Sequence, residues 1–119
     1  MRYMILIKHS GNVRVENVPA ALHEAMGKFV EQGFKSGVLV DTNGLKPISE
    51  GTRVRLAGGK LTVTDGPFTE SKEIVGGYAI VKVSSRAEAI ENARQFLELH
   101  RVHFPGFEAE TEVRQIDEP

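Results

Sequence analysis

Two stretches of the chain are apolar at odd and even positions alike: Arg2-Tyr3-Met4-Ile5-Leu6-Ile7-Lys8, and Val75-Gly76-Gly77-Tyr78-Ala79-Ile80-Val81-Lys82-Val83. Successive side chains of a strand point to opposite faces. Tyr3, Ile5 and Ile7 therefore stand on one face and Met4 and Leu6 on the other; Tyr78 and Ile80 oppose Ala79, Val81 and Val83. A near-continuous apolar run marks a strand covered on both sides. Both stretches must be central strands, and the rest of the chain has to supply their neighbours and their cover.

Two amphipathic segments answer that need. In the first, Asn17 is a helix cap and Pro19 falls in the first turn, where a missing N–H costs little. The segment runs to about Ser36, with Leu22, Met26, Phe29 and Val30 on one face and Ala25 beside them. Gly33 inside it weakens the helix by ~1 kcal/mol relative to Ala, and Gly37 is a natural stop. In the second, Ser84 or Ser85 caps the helix, with Glu88 three residues after Ser85 as in a capping box. Its inward stripe is Ala89, Ile90, Ala93, Phe96 and Leu97. It ends near Val102, and Pro105-Gly106 forbids continuation.

The remaining strands are shorter. Val38-Leu39-Val40 is continuously apolar, and Asp41-Thr42-Asn43-Gly44 after it reads as a turn. Leu45-Lys46-Pro47 opens an irregular link through Glu50-Gly51. Thr52 to Leu56 and Lys60 to Thr64 then form a hairpin about Gly58-Gly59. Val54, Leu56, Leu61 and Val63 alternate inward; Arg53, Arg55, Thr62 and Thr64 alternate outward. Thr111 to Ile116 is the last strand. Without the hairpin the order is βαββαβ, the α+β ferredoxin-like plan, whose first and third strands are central. Two helices on one face leave the other face open. A second copy set sheet against sheet would cover it, so the expected state is a homodimer.

At 119 residues the length fits one domain. Fifteen basic against 16 acidic side chains leave a net charge of −1, which argues against a dedicated nucleic-acid partner. No cysteine is present, which excludes a disulfide framework and Cys-ligated zinc. The apolar N-terminal run is too short for a signal h-region, and no run approaches the ~20 residues of a membrane span. The expectation is a soluble, cytoplasmic protein with no membrane partner.

The link between hairpin and second central strand, Thr64-Asp65-Gly66-Pro67-Phe68-Thr69-Glu70-Ser71-Lys72-Glu73, combines turn chemistry with an aromatic and a short zwitterionic run. Together with Leu45-Lys46-Pro47, Arg53-Val54-Arg55, Gly77-Tyr78, Glu88-Ala89-Ile90 and Glu112-Val113-Arg114-Gln115, it resembles the YCII-related superfamily in its DGPF-domain branch. The likeness covers nearly the whole chain; Gly33 departs from it, where a larger apolar residue is expected. The resemblance implies a dimeric ferredoxin-like α+β barrel related to muconolactone-isomerase-like folds. It also implies, for some relatives, a His–Asp pair in a cleft; one such relative is a dehydrochlorinase of a chlorinated hydroxyquinol. DGPF proteins are further linked to extracytoplasmic-function sigma factors, which opens a regulatory reading.

Asp65 is the first candidate site residue, as a general acid or base beside a histidine or as a carboxylate bracing its own turn. His23, early in the first helix, is its candidate partner; the relatives' histidine lies on this helix, although the spacing from His23 to Gly37 is about a turn long. His9 ends a central strand, where barrel mouths place ligand groups, and with Lys8 and Tyr78 it is a candidate pocket lining. Phe68 and Tyr78 can stack on an aromatic ligand or serve the core. Glu70, Lys72 and Glu73 read as a solvated loop. Gly76-Gly77 reads as a bulge or close approach. His100 and His103 have a metal-compatible i, i+3 spacing, but no third ligand accompanies them, so no metal is expected, and no motif calls for a cofactor. The function expected is a small cofactor-independent isomerase or lyase working on a small organic acid; the alternative is a non-catalytic dimeric module that binds a small ligand or, as the sigma-factor link implies, a regulatory partner.

Overall fold

A computed structural model of the chain describes residues 1–9, 18–68 and 74–118. Its elements are strand β1 (Arg2–His9), helix α1 (Ala20–Ser36), strands β2 (Leu39–Gly44), β3 (Thr52–Ala57), β4 (Lys60–Asp65) and β5 (Ile74–Lys82), helix α2 (Arg86–His103) and strand β6 (Ala109–Gln115). A 3-10 turn, Ile48–Glu50, precedes β3. The fold is α+β: a four-stranded antiparallel sheet in the order β2-β5-β1-β6, two helices, and a separate two-stranded sheet, β3-β4. The two strands apolar on both faces, β1 and β5, are the central pair.

Tyr3 and Ile5 pair with Val81 and Ala79, and directly paired residues share a face. Tyr3, Ile5, Val81 and Val83 form the core with Ala89 and Ala93 of α2. That face is covered by helices. Val81 is completely buried, and burial of such a side chain contributes about 1.5–3 kcal/mol. Small residues at Ala89 and Ala93 bring α2 close to the sheet, and this sets the helix so that Ile90, expected inside, is exposed. Met4, Leu6, Tyr78 and Ile80 occupy the opposite face; neither α1 nor α2 covers it.

The helix ends follow their chemistry. Ser85 Oγ accepts from the Glu88 N–H at 3.2 Å. The Glu88 carboxylate reaches back past Ser85 and accepts from the Ser84 N–H (3.0 Å) and hydroxyl (2.7 Å). Gly37 ends α1 in the left-handed region, φ 81°. Pro19 stands at the N-cap itself, one position before the first turn, and the expected cap, Asn17, lies outside the described residues. Gly33 has a packing reason: a Cβ there would lie 2.9 Å from the Leu39 Cβ, so its absence lets α1 approach β2.

Two further expectations are corrected. Asp41 to Gly44 is not a turn but the second half of β2, paired with Ile80 to Gly77 after a bulge at Val40. Tertiary pairing overrides local turn chemistry here because β5 supplies partners for the polar side chains. The Tyr78 hydroxyl donates to Asp41 Oδ2 at 2.7 Å and accepts from Asn43 Nδ2 at 3.0 Å; Thr42 donates to the Tyr78 carbonyl at 2.9 Å. The hairpin keeps the expected alternation, with Val54 opposite Val63 and Leu56 opposite Leu61. Its apolar face is not turned inward, however: these four are each about 70% exposed.

Candidate functional site

Where β1 and β5 reach the far end of the sheet, the helix-covered side opens into a cleft of about 310 Å³. The sheet contributes Ile7, His9, Gly76 and Gly77, with Thr42 to Gly44 from β2; α1 contributes Leu22, His23 and Met26; α2 and the residues after it contribute Phe96, His100, Phe104 and Phe107. The volume is at the small end of ligand pockets, and an apolar wall with few polar groups is their usual make-up. Among the described residues lining it there is no Asp, Glu, Lys or Arg. Its titratable groups are three imidazoles.

Each histidine has a local reason for its place. His9 follows Tyr3, Ile5 and Ile7 at alternate positions of β1 and so lies on the helix side. The pairing of β1 with β5 shifts between Ile7 and Lys8, so that Gly76 is skipped. A Cβ at Gly76 would come within 2.2 Å of His9 Nε2. The bulged glycine is therefore the space in which the His9 ring sits. His23 follows the buried Leu22 on α1. His100 is the most constrained: its Nδ1 lies 2.9 Å from the Phe96 carbonyl. A carbonyl only accepts, so Nδ1 carries a hydrogen in this contact. Its ring stacks on Phe107 at 4.9 Å and meets Phe96 at 4.6 Å.

The other sequence candidates stand elsewhere. Asp65 ends β4 in the hairpin and accepts from the Thr52 hydroxyl at 2.9 Å; it does not line the cleft. The next peptide bond but one, Gly66–Pro67, is cis. Phe68 is half-buried, with the Arg53 guanidinium 3.8 Å above its ring. Tyr78 faces the open side of the sheet with Asp41 and Asn43, as does Lys8, whose ammonium meets Glu112 at 2.6 Å and holds that carboxyl below the usual carboxylate range. The structure thus brings His9 and His23 to one cleft and separates them from Asp65, Phe68 and Tyr78. Glu70, Lys72 and Glu73 lie outside the described residues. No group of three His, Asp or Glu among the described residues is arranged to hold a metal, and no described helix is long and apolar enough to cross a membrane.

The aromatic end of the cleft escaped the sequence reading. Phe96 and His100 are four apart on one helix face, and Phe104 and Phe107 flank Pro105-Gly106. That spacing was the available signal; it reads first as a helix end, and only the turn of the chain after His103 brings Phe107 back onto His100.

The family model of the YCII-related domain matches residues 1–115, and the chain belongs to that family. A search of curated proteins found no match.

Proposed function

We propose that this member of the YCII-related family is a small cofactor-independent enzyme of the isomerase or lyase sort, with a small organic acid as substrate in the helix-side cleft. The observation that carries the reading is the presence of three histidines, from β1, α1 and α2, in the lining of one mainly apolar and aromatic cleft. Imidazole is the side chain best suited to moving protons near neutral pH. One imidazole removes a proton from the carbon beside the acid's carboxyl group. In an isomerase a second imidazole returns a proton at another carbon; in a lyase the freed electron pair expels a leaving group as its anion. The Nδ1 contact with the Phe96 carbonyl fixes the orientation of the His100 ring. Phe104 and Phe107 suit an aromatic-derived acid. In this reading Asp65 is a brace for its turn, held by Thr52.

The assembly belongs to the same proposal. The strand order, with β1 and β5 central and both helices supplying cover to one face, supports a ferredoxin-like unit. The uncovered apolar side chains Met4, Leu6 and Ile80 support a homodimer in which a second copy lies over them.

The test is hydrogen exchange. Small aromatic and aliphatic carboxylic acids are incubated with the protein in D2O and their masses followed. Uptake of deuterium that falls 10²–10⁴-fold in His9→Gln, His23→Gln or His100→Gln is the expected result, with Asp65→Ala unchanged. A second reading, a non-catalytic ligand-binding module, is favoured by the placement of Asp65 away from every cleft histidine. Acids that raise the melting temperature by several degrees without exchanging would select it and defeat the enzyme.

A further inference from the structure

A second cleft, of about 480 Å³, adjoins the first: His9, Val18, Gly44 and Gly76 line both. The rest of its wall is the link from Leu45 to Ser49, with Ile74 and Val75 of β5. Lys46 on that link is the one charged side chain, histidines aside, among the described residues that line either cleft. It is exposed, and its ammonium has no partner among the described residues. The backbone beneath it is fastened on both sides. The Leu45 N–H donates to the Gly76 carbonyl at 2.9 Å, and the Pro47 carbonyl accepts from the Glu50 N–H at 2.9 Å. A residue before proline is also kept out of the helical region, which restricts Lys46 further. Gly76 thus sets two groups at once. Its missing Cβ makes room for the His9 ring, and its carbonyl holds the link that carries Lys46.

We infer that Lys46 binds the carboxylate of the substrate, so that the acid lies across the wall shared by the two clefts, its carboxyl end in the second and its apolar body in the first. The inference rests on the proposed acid substrate and names the group that recognises it. Charge selects this orientation. The first cleft is mainly apolar and aromatic, and a carboxylate taken from water without a partner is costly. The second cleft offers an ammonium, and no Asp or Glu among the described lining residues of either cleft competes for it or repels an anion. The fastened backbone reduces what is lost in ordering the contact. The orientation also has a chemical use. His9 lines both clefts, so the carbon beside the bound carboxylate passes that imidazole. When the C–H bond there breaks, the proton goes to the imidazole and the electron pair spreads onto the carboxylate oxygens. An ammonium already on those oxygens stabilises the added charge.

A matched pair of probes tests it: phenylacetate and its neutral counterpart phenylacetamide, titrated while the histidine ring protons are followed by NMR. Lys46 is exposed, so Lys46→Gln keeps the fold, which circular dichroism checks. Phenylacetate is expected to move the His9 signal and to bind about tenfold more weakly to Lys46→Gln, with most of the affinity kept in Lys46→Arg. Phenylacetamide is expected to bind the wild type about tenfold more weakly than the acid and to be indifferent to the substitution. Equal affinity of phenylacetate for wild type and Lys46→Gln would overturn the carboxylate site. So would an equal loss for acid and amide, which marks a structural role. Deuterium uptake that still depends on the cleft histidines would, in either case, leave the enzyme reading standing. If neither phenylacetate nor propionate moves a histidine signal at millimolar concentration, the carboxylate site and the acid substrate fall together.

Discussion

The hairpin β3-β4 and the central pair β1-β5 are both antiparallel strand pairs with apolar residues opposed across the ladder. In β1-β5 one apolar face is buried under Ala89 and Ala93 of the same chain. In β3-β4 the equivalent face is exposed. Alternation tells which residues share a face; it carries no information about which body covers that face. The pair that folds against its own helices holds the core and the cleft, and the pair that does not is available to another molecule.

The comparison breaks first at its strongest contrast. Val81→Asp places an unpaired charge in the fully buried site and should cost more than about 4 kcal/mol, seen as loss of the urea transition. Val63→Asp, the same change on the hairpin, should leave the helical circular dichroism intact. Equal unfolding by both would show that the hairpin belongs to the core. Next in size is Gly76→Ala. The new methyl must displace the His9 ring, at a cost of about 1–3 kcal/mol, and ligand-induced stabilisation by cleft-binding acids should vanish with it. Tyr78→Phe removes a hydroxyl serving both Asp41 and Asn43. A loss of about 0.5–1.5 kcal/mol in unfolding free energy, read from the urea transition, is expected.

The smallest effect concerns acid. Hydrogen bonds from the Ser84 N–H and hydroxyl hold the Glu88 carboxyl below its ordinary value. A folded pKa below the unfolded one gives stability that is present above the unfolded value, near 4.3 for Glu, and lost as pH falls through the folded one. Urea midpoints of the wild type should therefore decline from about pH 5 downward, and Glu88→Gln should decline less over that window.

What the sequence disclosed follows the same line. The central strands were legible because Tyr3 to Ile7 and Tyr78 to Val81 are apolar at every position, a pattern that only a covered strand tolerates. The cap of α2 was legible because Ser85 and Glu88 act within one turn. The extension of β2 was not: Asp41-Thr42-Asn43-Gly44 has turn chemistry, and its competing partners on β5 are some 35 positions away in sequence. Gly33 read as a weak point in a helix, because the Leu39 side chain that needs the space becomes a neighbour only after folding. At the site, His9 was legible from its place at a strand end, and His23 from its helix. His100 was not, because its meaning comes from Phe107 folding back onto it. Asp65 drew notice through its turn chemistry; it stands beside Thr52 and outside the cleft lining.

The pairing of β1 has a consequence in time. Its two neighbours, β5 and β6, both lie in the second half of the chain: Tyr3 is aligned with Val81 on one side and Gln115 on the other. During synthesis at about 5–20 residues per second, this strand waits roughly 4–15 s before its first partner exists. For that interval the most apolar strand is without its ladder, and contacts between distant parts of a chain form slowly in any case. The stretch that most dictates the sheet is thus also the one that depends longest on not meeting another copy of itself.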